Sequence, residues 1–105
     1  MKVEILYFEC CPSWKDGLAN MKEALQKEKQ TAEVDLVLVA YNRQAERLKF
    51  LGSPSFRING VDLWPEERQQ YALGCRVYAT ATGLKGVPTV EMLRERIRTH
   101  LGTGE

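Results

Sequence analysis

The spacing of apolar positions changes along the chain, and each change marks the boundary of an element. Residues 2–8, KVEILYF, combine β-branched and aromatic residues with partial alternation, which predicts a strand. From Trp14 the period lengthens. Trp14, Leu18, Met21 and Leu25 fall at i, i+4, i+7 and i+11, one apolar stripe, with Lys15, Asp16, Lys22 and Glu23 on the other face of a helix. Gly17 weakens that helix by up to about 1 kcal/mol relative to Ala without breaking the stripe. Residues 33–40, EVDLVLVA, read as a second strand, and the unbroken LVLVA predicts burial on both faces, as in the middle of a sheet.

Asn42 is placed to cap a short helix over RQAERLKFL, which Gly52 would stop. In SPSFRINGVDLW, Asn59-Gly60 lies between short apolar runs and signals a hairpin, because a two-residue type I′ turn needs positive φ at both positions. Residues 65–87 carry Pro65, Gly83, Gly86 and the short run CRVYA, and read as an irregular insertion before the last helix. That helix starts near Pro88 and buries Val90, Leu93, Ile97 and Leu101. The order is β-α-β-α-β-β-α, an α/β domain whose first two strands are parallel and whose last two form a hairpin.

Composition narrows the function classes. The 105 residues suffice for one domain over 1–105, and 44% apolar with 28% charged residues is a globular balance. A formal net charge of +1 offers no footprint for nucleic acid or an anionic membrane. Charges at Lys2, Glu4 and Glu9 leave too short an apolar run for a signal peptide, and no stretch approaches the roughly 20 apolar residues of a membrane span. A cytoplasmic protein is the expectation. The odd cysteine count (Cys10, Cys11, Cys75) fits a reducing compartment, and with no CxxC pair and His100 far along the chain a closed zinc site has no ligand set. Neither a metal nor a cofactor is expected in the leading reading below.

The chemistry gathers at ECCPSW. Cys11 falls just before the first helix, with Pro12 in its first turn, where a missing N–H costs nothing. The unpaired amides and the positive end of the helix dipole favour an anion there, and the thiolate is the nucleophilic and metal-binding form of cysteine.

A strand, a cysteine at a helix start, a second α/β unit, Ser53-Pro54-Ser55 opening a hairpin, and a closing helix together resemble the thioredoxin-like superfamily. The likeness covers roughly residues 2–63 and the final helix. It implies a mixed four-stranded sheet with helices on both faces. It also implies a cleft where Cys11 faces a cis-proline at Pro54, and a backbone at Ser53 that binds an extended partner segment. Pro12, Trp14, Ser53, Pro54 and Ser55 would then line the substrate cleft. The chain departs from the dithiol members, since Trp14 stands where they carry the second cysteine. CPSW thus resembles a monothiol variant, and a looser likeness is to small bacterial monothiol proteins of this fold, some labelled alkylmercury lyase-like.

The expectation is a thiol–disulfide oxidoreductase or thiol-dependent reductase. Cys11 attacks, and Cys75, Cys10 or an external thiol resolves; Cys10 is disfavoured because a ring between neighbours strains the intervening peptide. If the hairpin starts at Pro54, its second strand returns near Trp64, so the segment carrying Cys75 would start beside Cys11. The partner is a protein or small-molecule thiol or disulfide, glutathione among them. A rival reading is a soft metal or metalloid site (mercury, arsenic, copper) on Cys10, Cys11 and Cys75. A third is a non-catalytic scaffold with a partner along Ser53–Ser55. Beside these stand plainer readings: a cysteine often packs as a small buried hydrophobe, Trp14 suits a core anchor, and His100 suits a solvated helix end. Both chemical readings need the Cys11 sulfur reachable at the mouth of the helix.

Overall fold

A computed structural model describes residues 1–101. Strands β1 (Lys2–Tyr7), β2 (Glu33–Leu38), β3 (Ser55–Ile58) and β4 (Val61–Asp62) form one mixed sheet in the order β2-β1-β3-β4. β1 pairs in parallel with β2, from Lys2 opposite Glu33 to Tyr7 opposite Leu38, and antiparallel with β3, Val3 facing Ile58. Helix α1 (Trp14–Lys27) makes the crossover between the parallel strands, α2 (Asn42–Leu48) leads to β3, and α3 (Val90–Leu101) closes the fold. Alternation along β1 sends side chains to opposite faces. Val3 and Ile5 pack with Met21, Ala24 and Leu25 of α1 and Leu93 and Ile97 of α3, whereas Leu6 packs with Ala45 of α2, Val39 and Phe50. Helices therefore cover both faces. Among the described residues no helix is long and apolar enough to cross a membrane.

Several expectations change. β2 is an edge strand and not a central one, leaving Leu36 and Leu38 about two-fifths exposed. Asn59 (φ 51°) and Gly60 (φ 85°) do supply the two positive φ values of the β3–β4 turn. Asn42 does not cap α2. Tyr41 takes that position, with the Gln44 side-chain oxygen accepting its backbone N–H, and Asn42 Oδ1 instead accepts the Leu73 N–H. α2 ends in a left-handed Lys49 before Gly52 is reached. α3 begins at Val90, capped by the Thr89 hydroxyl, and its last stripe residue, Leu101, is exposed.

Residues 65–87 are less irregular than their composition implies. They contain a second, two-stranded sheet, β5 (Tyr78–Thr80) with β6 (Gly83–Lys85), while Leu63 and Tyr78 join the main core. The stretch before β5 is tied down along its length. Tyr71 N–H donates to Glu46, Leu73 N–H to Asn42, and Leu73 packs on the α2 core. This tethering delivers Cys75 to the end of the sheet where α1 begins.

Candidate functional site

β1 ends at Tyr7, and the chain turns through residues 8–13 into α1, with the Cys11 N–H donating to the Phe8 carbonyl. Ser13 is the N-cap residue, although its hydroxyl makes no capping bond. Pro12 and Cys11 therefore lie one and two positions outside the helix, which corrects the expectation of Pro12 in the first turn. Trp14 is not a core anchor either: half-buried, it stacks on Tyr7 with ring centroids 4.4 Å apart.

Across from this turn, the Ser53–Pro54 peptide is cis and leads into β3. Gly17 lets α1 approach it, because a Cβ there would sit 3.1 Å from Pro54 Cγ and 3.0 Å from Phe56 Cζ. The glycine that reads as a weakness in the helix is the contact that seats Pro54. The Cys11 thiol donates to the Ser53 carbonyl, Sγ to O 3.4 Å.

The Cys11 side chain is nonetheless 1% exposed, so its sulfur is not presented at an open helix mouth; the reachability that both chemical readings ask of Cys11 is not met by that residue, and the reachable thiol beside it is Cys75. The cover of Cys11 is the chain's own segment 74–76. Ser53 and Cys75 form an isolated parallel bridge, with Ser53 N–H donating to Gly74 O at 2.8 Å and Arg76 N–H donating to Ser53 O at 3.0 Å. The backbone that the resemblance reserves for a partner is thus filled intramolecularly. Gly86 closes in from the other side, where a Cβ would lie 2.6 Å from Ser13 Oγ.

All three cysteines are free thiols, and Cys75 and Cys10 are exposed. Cys75 and Cys11 converge on Ser53, the one through the backbone bridge and the other through its thiol. The Cys11 S–H itself donates to the carbonyl of Ser53, the residue that Cys75 bridges. The Cys75 thiol is raised above the ordinary cysteine value first by a hydrogen bond to Cys11, then by burial, then by charge on Cys11. These causes hold the proton on Cys75. Alkylation of Cys75 should accordingly climb with pH through a midpoint above that of a free thiol. Cys11→Ala removes the largest cause, so the midpoint should move down; an unmoved curve would show that the two sulfurs do not interact.

Cys10 does not complete a cluster. Among the described residues no three His, Cys, Asp or Glu side chains gather into a set able to hold a metal ion, so the three-thiolate site is not assembled. No protein-family model matches the chain, and no curated protein matches it.

What the sequence left unrecognised is the anchor of the covering strand. Arg76 is buried, and its Nη1 contacts the Asp62 carboxylate at 3.0 Å and Ser55 Oγ at 3.1 Å, while Nη2 donates to the Trp64 carbonyl at 2.6 Å. Its guanidinium also stacks 5.2 Å from the centre of the Tyr78 ring. A cation inside the run CRVYA was the available signal, since arginine is almost never fully buried without a partner. Ser53 Oγ is buried with no hydrogen-bond partner among the described residues.

Proposed function

We propose that the protein exchanges thiols for disulfides through the couple Cys11/Cys75, as a thioredoxin-like oxidoreductase whose second thiol comes from residue 75 and not from the helix. The observation that carries this reading is the convergence of Cys11 and Cys75 on Ser53 beside the cis-proline, one through its thiol and the other through a backbone bridge. Exchange needs one sulfur to leave a mixed disulfide as the other attacks it, and neighbouring thiols on separate segments meet that need without ring strain. In the oxidising direction two protein thiols become one disulfide and the partner's disulfide becomes two thiols. Cys10, exposed and next to Cys11 in sequence, has no part in the couple.

Mild oxidation of the reduced full chain by oxidised glutathione tests this. The expected product loses two hydrogens, and peptide mapping finds the Cys11–Cys75 bond in wild type and in Cys10→Ser alike. A Cys10–Cys11 bond, or glutathione adducts with no internal bond, would refute the couple.

The same convergence favours a second reading, two-coordinate binding of a soft ion by two thiolates. Native mass spectrometry after addition of mercury(II) would show one ion retained in wild type and lost in Cys75→Ser. Retention unaffected by that substitution would remove this reading.

A further inference from the structure

This inference rests on the exchange reading and names its substrate class and first-reacting sulfur. Ser53 presents one N–H and one C=O to the cleft, and both are occupied by Gly74 and Arg76 of the same chain. An extended polypeptide that pairs with this backbone must first displace the 74–76 strand. Displacement takes Arg76 away from Asp62, Ser55 and Trp64. A small molecule faces no such barrier, because Cys75 is exposed and lines a cavity of about 510 Å³ with Trp64, Arg68, Tyr78 and Met92. That volume lies within the range of small-molecule sites.

We propose that the substrate is a small disulfide, that it meets Cys75 first, and that Arg76 is the positioning residue that keeps the cleft closed to extended polypeptides. The Cys75 thiolate attacks one sulfur of R–S–S–R, that S–S bond breaks, and one R–S⁻ leaves and takes a proton. Cys11, deprotonated in turn, attacks the Cys75 sulfur of the mixed disulfide and expels the second R–S⁻. The protein ends oxidised as Cys11–Cys75, and the substrate ends as two R–SH carrying the two protons lost by the cysteines. The order is the reverse of the one expected from the sequence, where Cys11 attacks and Cys75 resolves.

Two single-cysteine chains, each also carrying Cys10→Ser, test the order at one alkaline pH. With bis(2-hydroxyethyl) disulfide as probe, Cys11→Ser should trap the mixed disulfide on Cys75 at least about tenfold faster than Cys75→Ser traps it on Cys11. A local opening costing only about 1.4 kcal/mol imposes that ratio. Equal or reversed rates would overturn the assignment. These adducts form whether or not Cys11 and Cys75 later join, so failure here and failure of the couple are distinguishable.

Substrate class is tested on the wild-type chain. It should reduce the small probe at least about tenfold faster than a synthetic dimer of an extended peptide joined through one cysteine of each strand. Equal rates would overturn the closed cleft. The ratio should collapse in Arg76→Met and be partly restored in Arg76→Lys; a ratio unchanged in a folded Arg76→Met would overturn the role of Arg76. Should that variant not fold, Arg76→Lys decides the role of Arg76: a ratio below that of wild type supports it, and a ratio equal to wild type overturns it.

Discussion

Arg76→Met is expected to lower the free energy of unfolding by about 3–5 kcal/mol, the range for removing one partner of a buried ion pair. Arg76 and Asp62 are each only 7% exposed, so neither charge has water as an alternative partner. The substitution keeps much of the buried volume but strands the Asp62 carboxylate, which then retains only the Trp64 N–H, and it removes the donors to Ser55 Oγ and Trp64 O. Combining Arg76→Met with Asp62→Asn should recover part of the loss, because the uncompensated charge goes while the orphaned carbonyl stays. Urea unfolding of the three chains measures this directly. A loss under about 1 kcal/mol in the single variant would mean that the pair behaves as an exposed one. The pair also links fold to chemistry. β4 holds Asp62, Asp62 holds Arg76, and Arg76 holds the strand that covers Cys11.

Local pattern carried the elements, and long-range pairing carried the site. α1 was legible because Leu18, Met21 and Leu25 share one helical face, and the β3–β4 turn because Asn59-Gly60 admits few other conformations. β2 misled for a physical reason. Five consecutive apolar residues look alike whether a strand is flanked on two sides or one, and only the order β2-β1-β3-β4 places Leu36 and Leu38 at the margin. Asn42 misled because a side chain suited to capping is equally suited to binding a distant N–H, here that of Leu73. The covering strand was least legible of all. Its hydrogen bonds run from Tyr71 to Glu46, Leu73 to Asn42 and Arg76 to Ser53, separations that no local window contains. The approach of Cys75 to Cys11 was reachable by following the hairpin back to the end where it starts. The sealing of Cys11 was not, because it depends on backbone bonds between Ser53 and residues 74–76.

The glycine at position 52 gives the sharpest test of that sealing strand, because the chain supplies its own control. Gly52 and Gly83 have nearly the same positive φ, 112° and 113°. Alanine at either position meets the same reluctance of a side chain to adopt positive φ, about 1–3 kcal/mol. Their surroundings differ. A Cβ on Gly83 meets nothing within 4 Å, while one on Gly52 lies 2.9 Å from Arg76 Cβ and 3.1 Å from Arg76 backbone atoms. The second contact involves backbone held by the Ser53 bridge, so it cannot relax by rotating a side chain, and crowding of this kind costs about 1–3 kcal/mol more. Gly52→Ala is therefore expected to destabilise by about 2–6 kcal/mol and Gly83→Ala by about 1–3 kcal/mol. Relaxation that shifts the Arg76 backbone loosens its bond to the Ser53 carbonyl, so Cys11 alkylation should accelerate in Gly52→Ala and stay slow in Gly83→Ala. Equal destabilisation with equal alkylation would show that the 74–76 strand yields freely and that its packing on Gly52 does not keep Cys11 covered.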